Sequence, residues 1–337
     1  MYQKVESVRL KNGESAELGV LTGPDSSEQA QQLRALLGHK GAAWRWQIEQ
    51  SLTQSATSVS SRFYVLSKEG RPFANIMCVQ SRGVGIFGHV YTHPDERRKG
   101  AADIIHAYQI EDFKRRGGRA LYLGTDYDSH PYRLYARHGF LGVEPGSGYM
   151  YYFAQGQEAF EREVFAPASV RVEPLSFEHW PTLPALAMMR HPARVRIAGM
   201  NVINVRSTEG GSLPYLVAMA EPAKANQPSP PRAWVAVSET SHMPVAIACS
   251  TPDSVFNDDC DLVDVFCAPG FEASLPPLLE KLELCGSRSA ICYVDPFWPE
   301  KMKVLSGSAF QEAGRLPKHF QSRGQACDVT LWRRGPR

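Results

Sequence analysis

No run of about 18 apolar residues occurs in the 337-residue chain, so the sequence predicts no spanning helix and no membrane partner. The opening MYQKVESVRL lacks the uninterrupted apolar stretch of a secretory leader, and a cytoplasmic location is the expectation. Excess charge is equally scarce: 37 Lys and Arg stand against 35 Asp and Glu, a formal net of +2. So even a balance argues against nucleic acid or any polyanion held by bulk charge. No CxxC occurs, and the cysteines are odd in number: Cys78, Cys249, Cys260, Cys267, Cys285, Cys292 and Cys327. They read as small buried thiols in a reducing compartment, and no metal site is expected. What is present is a 43% apolar share with 10% aromatics, enough to bury cores and exclude wholesale disorder. At about 150 residues per domain, the length suggests two.

The punctuation is richest in two places. Residues 154–167, AQGQEAFEREVFAP, read as the connection between halves, with a helix over 158–164. The expected division is a domain over 1–155, a linker over 156–168 and a second domain over 169–337. Residues 221–232, EPAKANQPSPPR, hold four prolines and read as an exposed loop inside the second half.

In the first half, strands are expected over 15–21, 62–67, 73–80, 84–92, 119–124, 140–143 and 149–153. Helices are expected over 26–37, 44–52, 101–116 and 131–138. The third is the plainest: Ala101, Ile104, Ile105 and Tyr108 recur at helical spacing, and Gly117-Gly118 stops it. The second half repeats the order loosely. Strands are expected over 170–173, 233–238, 245–250, 262–267, 290–294 and 328–332, and helices within 177–189 and over 275–285 and 299–306. One topology read twice points to a duplication. The fold class is therefore α/β (α+β), with a mixed central sheet flanked by helices in each half.

The segment 90–102, VYTHPDERRKGAA, carries the chemistry. A strand ends at His93-Pro94, a short basic loop follows, and a helix opens at once. Such a junction offers free backbone N–H groups and the positive end of a helix dipole, which together cradle a pyrophosphate. Gly100 and Ala102 keep side chains small so that phosphate oxygens can approach the backbone. Arg97, Arg98 and Lys99 add charge within reach of phosphates.

These residues resemble the GCN5-related N-acetyltransferase (GNAT) superfamily. Its acetyl-CoA loop has the pattern Gln/Arg-x-x-Gly-x-Gly/Ala, and Arg97-Arg98-Lys99-Gly100-Ala101-Ala102 fits it. Many members carry glycine where Arg98 stands. A second match lies downstream: a strand over 121–124, then a helix containing Leu134-Tyr135 and closed by Gly139-Phe140. The resemblance implies acetyl-CoA as cosubstrate, with backbone groups at Tyr91, Thr92 and His93 holding the pantetheine. It implies Tyr135 as general acid toward the departing thiolate, and Asp128 as a cap and cofactor contact. Candidate bases are His89, His93, Glu96, Asp126, Asp128 and His130, with Asp126 preferred as base or amine anchor. His89 and His93 share a strand face and read as surface or cleft histidines.

In the second half the matching loop, Gly270-Phe271-Glu272-Ala273-Ser274, offers an acid and a bulky ring. Glu272 would repel a pyrophosphate, so this half reads as a GNAT-like lobe without productive CoA binding. Trp180, Trp234, Phe297 and Trp298 read first as core aromatics, otherwise as the lining of an acceptor cleft. The expected function is acyl transfer from acetyl-CoA to the amine of a small-molecule acceptor, with a homodimer left open. Two other functions fit the same residues: a non-catalytic acyl-CoA-binding or regulatory protein, and an acyl loader that decarboxylates malonyl thioesters.

Overall fold

A computed structural model describes residues 1–54, 58–222, 229–256 and 259–336. Residues 223–228, half of the proline-rich loop expected over 221–232, lie outside the described residues. The chain divides into two compact units, Met1–Gly156 and Gln157–Arg337.

The first unit opens with strands β1 (Tyr2–Arg9) and β2 (Ser15–Thr22) and helices α1 (Glu28–Leu36) and α2 (Ala42–Thr53). Strands β3 (Val59–Lys68), β4 (Arg71–Ser81) and β5 (Val84–Thr92) follow. Next come α3 (Ala101–Arg115), β6 (Ala120–Gly124), α4 (His130–Arg137), β7 (Leu141–Gly142) and β8 (Tyr149–Phe153). The sheet runs β1-β2-β3-β4-β5-β6-β8-β7. Its neighbours are antiparallel except β5 and β6, which are parallel.

Strand alternation separates the two faces of this sheet. Leu18, Tyr64, Ile76, Cys78, Phe87 and Leu121 face α3 and α4, where they join Ile105, Ile110, Phe113 and Leu134 in one buried cluster. Each large apolar side chain buried here contributes about 1.5–3 kcal/mol. The alternate residues face α1 and α2: Met77, between Ile76 and Cys78, meets the Gln47 amide through its sulfur at 3.7 Å.

The second unit begins with α5 (Gln157–Val164), β9 (Val170–Pro174), α6 (Leu183–Met188), β10 (Val195–Ile197), β11 (Val202–Ile203) and α7 (Leu213–Ala220). Strands β12 (Arg232–Ser238), β13 (Pro244–Pro252) and β14 (Cys260–Cys267) precede α8 (Leu275–Lys281). The unit ends with β15 (Ser289–Val294), α9 (Pro299–Gly307), β16 (Gln311–Ser322) and β17 (Gln325–Arg334). Its large sheet runs β9-β12-β13-β14-β15-β17-β16, with β14 and β15 parallel. Read from β2, the first sheet has the same wiring: antiparallel strands, one parallel pair, then a swapped terminal hairpin. Each half is thus a mixed sheet flanked by helices, and the topology is present twice.

Several expectations are corrected. Strand β1 precedes the first expected strand and pairs antiparallel with β2. The helix expected over 158–164 is present as α5, which buries Phe160 and Val164. Cys285 is exposed, unlike the other six cysteines. Trp180 and Trp298 are core residues, whereas Phe297 is exposed, its ring facing the Arg194 guanidinium at 5.6 Å. No helix among the described residues is long and apolar enough to cross a membrane.

Candidate active site

Strands β5 and β6 pair through three residues only, Val84↔Ala120 to Ile86↔Tyr122. Beyond Ile86 they part, because β5 carries a bulge. Met77 pairs with Gly88 and Asn75 with Tyr91, so His89 and Val90 together oppose Ile76. An extra residue bends a strand and reverses its side-chain alternation. His89 takes φ +48°, and its carbonyl accepts a hydrogen bond from the buried Asn75 side chain at 3.0 Å. The expectation that His89 and His93 share one strand face as surface or cleft histidines therefore fails. His89 is buried toward α2 while His93 is exposed beyond the strand end.

His89 is also unsuited to be a base. Gln47 gives its amide N–H to Ser51 at 2.8 Å, so its oxygen accepts from His89 Nε2–H at 2.7 Å. Burial, aided by Lys40 and His39, pushes the His89 pKa down to about 3. Glu96 is excluded for another reason. Hydrogen bonds from Lys68 and Lys99 hold its carboxyl below its ordinary value, and Lys99 lies 3.1 Å away.

After β5 the chain turns through Pro94–Glu96 and reaches α3 at Gly100, whose φ of +84° suits glycine. The first intrahelical bond runs from Ile104 N–H to the Gly100 carbonyl at 3.2 Å. The N–H groups of Ala101, Ala102 and Asp103 thus have no intrahelical acceptor, and no side chain caps the helix. Arg98 adopts φ +65°, which explains why glycine would be favoured there.

Here a cavity of about 630 Å³ opens, lined by Tyr91, Thr92, Arg97, Arg98, Gly100, Ala101, Ala102 and Tyr135. His93, Lys99, Asp126 and Asp128 are not among its lining residues. Lys99 instead faces Glu14 at 3.2 Å and Glu96 at 3.1 Å, so its expected phosphate role is replaced by a structural one. Two cations the sequence reading missed do line the cavity, Lys11 and Arg137. Lys11 comes from the turn between β1 and β2. Its N–H donates to the Lys99 carbonyl at 3.0 Å, and its side chain lies over Gly100. The only signal for it was the short KNGE turn, whose partner loop is almost 90 residues away.

Tyr135 is placed by α4. Ser129 caps this helix, its hydroxyl accepting from Tyr132 N–H at 3.2 Å, so Asp128 is not the expected cap. Asp128 has φ +51° and pairs with Arg133 at 3.0 Å, in solvent. The Tyr135 ring is buried edge-on against Phe87 at 5.1 Å and His106 at 5.6 Å. Behind it, His106 is fully buried with neither ring nitrogen hydrogen-bonded among the described residues. His130 lines the cavity, while Asp126 is exposed on the loop after β6. Among the described residues, no group of three His, Cys, Asp or Glu side chains is placed to hold a metal ion.

The corresponding place in the second unit is built differently. β14 pairs with β13 from Cys267 to Asp261 with no register shift, and has eight residues against nine in β5. Phe310 N–H donates to the Leu305 carbonyl at 3.0 Å, as Phe140 does to Tyr135 at 3.2 Å. Leu305 therefore stands where Tyr135 stands, without a hydroxyl. Beside β14, residues 194–199 are tied down by buried charge. Asp295 accepts from Val195 N–H at 2.6 Å, and Asp264 from Gly199 N–H at 3.1 Å. Lys301 donates to the Val195 carbonyl at 3.3 Å and to Asp264 at 2.8 Å.

A profile of the Acetyltransferase (GNAT) family matches residues 31–140. No curated protein matches the chain. Among solved structures, ribosomal-protein-S5-alanine acetyltransferase from Vibrio fischeri is 17% identical, with 49% of this chain and 92% of that chain covered and a TM-score of 0.36. Phosphinothricin acetyltransferase from Sinorhizobium meliloti, in complex with AcCoA, is 11% identical, with coverage of 49% and 87% and a TM-score of 0.37. Mutant forms of spermidine/spermine N-acetyltransferase SpeG from Vibrio cholerae are 10% identical, with coverage of 49% and 92% and a TM-score of 0.34. The segment that carries β3 to α4 and the phosphate-type loop, residues 31–140, belongs to the acetyltransferase (GNAT) family.

Proposed function

We propose that the first unit binds acetyl-CoA and transfers its acetyl group to the amine of a small molecule by direct attack. The observation that carries this is the cavity where the uncapped N-terminus of α3, two arginines and the Tyr135 ring converge. Its chemistry fits a polyanionic cofactor: unsatisfied N–H groups at the positive end of a helix, with Arg97, Arg98, Lys11 and Arg137 around them. Backbone groups of Tyr91 and Thr92 would hold the pantetheine arm along the free edge of β5; those of His93, expected to share this role, are engaged elsewhere, its N–H donating to the Phe73 carbonyl at 2.8 Å and its carbonyl accepting from Glu96 N–H at 2.9 Å.

The cofactor supplies an activated acyl carbon. The chain's own groups do the rest. N–H groups of β5 beside the gap polarise the carbonyl. The amine nitrogen bonds to the carbonyl carbon, and the carbon–sulfur bond breaks. Tyr135 gives its proton to the departing sulfur. Asp126, or a water that it orients, takes the proton from the amine. The second unit lacks the bulge, the arginine loop and the tyrosine, and is assigned no acyl transfer.

The test is CoA release from acetyl-CoA over a panel of amines, with wild type and Tyr135→Phe. Acceptor-dependent release is expected, and Tyr135→Phe should lower kcat about 10²–10⁴-fold with CoA affinity unchanged. CoA binding without turnover by either form would favour a sensor. Carbon dioxide release from malonyl-CoA would identify an acyl loader.

A further inference from the structure

Strand β1 gives the first unit little core. It is the outermost strand of its sheet, most of its residues are exposed, and the half-buried Val5 and Val8 are its contribution to the cluster under α3. It also lies outside the segment 31–140 that matches the family. What β1 delivers is the turn that follows it.

That turn is firmly built. Leu10 is buried, and its N–H donates to the Glu14 carbonyl at 2.8 Å. Gly13 N–H donates back to the Leu10 carbonyl at 2.9 Å, and the Asn12 side-chain oxygen accepts from Glu14 N–H at 3.2 Å. Two ties fix the turn to the phosphate-type loop. Lys11 N–H donates to the Lys99 carbonyl at 3.0 Å, and the Glu14 carboxylate pairs with the Lys99 ammonium at 3.2 Å.

Three lysines meet at this junction, and two are neutralised. Lys68 and Lys99 each pair with both Glu14 and Glu96, with Lys68 2.6 Å and Lys99 3.1 Å from Glu96. Their network lines a separate open groove. Lys11 makes no ion pair among the described residues, and it lines the cofactor cavity. A Cβ added at Gly100 would meet the Lys11 Cγ, Cε and Cδ at 3.0, 3.1 and 3.3 Å, so this side chain crosses the N-cap of α3. Its ammonium, one bond beyond Cε, is carried to the helix end whose N–H groups lack acceptors. The two acids lining the same cavity do not cancel it. Glu96 is held by the lysine pair, and Asp103 by Arg137 at 3.3 Å and His138 at 2.9 Å.

We propose that Lys11 is a donor-specificity residue: its ammonium binds a phosphate of CoA and sets a preference for the CoA thioester over the bare pantetheine thioester. The proposal rests on the acetyl-CoA reading above and deepens it. A cation fixed in place before the ligand arrives gives its attraction at little ordering cost. The extra strand and its turn thereby acquire a task that the core does not require of them.

The experiment compares acetyl-CoA with acetyl-pantetheine, which keeps the thioester and carries no phosphate, using the best amine of the panel. In Lys11→Met the kcat/KM ratio of the two donors should shrink about fivefold through a raised KM for acetyl-CoA, the scale of one screened charge-assisted contact. Lys11→Arg should keep most of the ratio. Calorimetry should show CoA bound about fivefold more weakly by Lys11→Met at low salt, the difference narrowing at high salt. A loss falling equally on both donors, or a lowered Tm with the ratio intact, would make the turn a structural strap and overturn the proposal. CoA binding without turnover would remove the acetyl-transfer reading alone, and the calorimetric comparison would then decide Lys11: a salt-sensitive loss of affinity supports it, and equal affinity overturns it. No binding of CoA by the wild type would overturn both.

Discussion

Arg98 gives two opposed effects that one substitution separates. Its φ of +65° lies in the left-handed region, where a residue with a Cβ is strained by roughly 1–2 kcal/mol. Arg98→Gly relieves that strain. The added flexibility of glycine in the unfolded chain takes back about 0.5–1 kcal/mol. The net gain is about 0.5–1 kcal/mol, or roughly 1–4 °C in Tm for a unit of this size. The same change removes an exposed cation from the rim of the cavity. A charge-assisted contact to phosphate is worth about 1.5–3 kcal/mol before screening, so about 1 kcal/mol, or fivefold in Kd, is expected at physiological salt. The assay is paired: thermal unfolding of the free protein, and calorimetric titration with CoA at low and high salt. Arg98→Ala is the control, since it removes the charge but keeps the strained backbone. The expected pattern is a raised Tm for glycine only, with an equal, salt-dependent loss of affinity in both variants. Identical Tm values for Gly and Ala would refute the strain argument. Unchanged affinity in both would refute the assignment of Arg98 to the phosphates.

Two further outcomes follow from buried charge. His89, His106 and His191 are each held at about 3, first by burial and then by neighbouring cationic groups. The unfolded chain takes these protons near the ordinary value of 6.5, so stability is present above that pH and is lost as pH falls toward 3. The slope is up to about 1.4 kcal/mol per pH unit per histidine. Urea midpoints at pH 7.5 and 5.0 should show this loss, and His106→Leu should reduce it; equal slopes in both proteins would contradict it. In the second unit, the Lys301 ammonium is opposed by burial but held up by Asp264. Lys301→Met should cost about 3–5 kcal/mol by leaving a buried carboxylate unpaired, and adding Asp264→Leu should recover part of it. Urea unfolding of the single and double variants measures both terms, and a neutral single variant would refute the pairing.

The elements legible in the sequence were those whose apolar period and stop signals agree locally. Helix α3 is the example, with Ile105 and Phe113 buried and Gly117-Gly118 at its end. The phosphate-type loop was legible because its backbone needs small residues at fixed spacing. What escaped depends on distant partners. Gly88 is the one local signal beside the β5 bulge, but the residue that takes the positive φ is His89, whose carbonyl accepts from the side chain of Asn75, fourteen residues away. Lys11 donates to the Lys99 carbonyl from a turn whose first strand, β1, precedes the expected elements. Lys99 reads as a free cation until folding brings Glu14 beside it. The cap expected at Asp128 falls one residue later, at Ser129, with Asp128 itself in the left-handed region.

The one-residue difference between β5 and β14 has a consequence for engineering. Side-chain replacement can bring an arginine loop or a tyrosine to the second unit. It cannot bring a bulge, because pairing parity along a strand changes only when the backbone gains or loses a residue. Rebuilding the β5 arrangement in that half therefore requires an insertion in β14 together with removal of the grip on residues 194–199. No path of single substitutions accomplishes both.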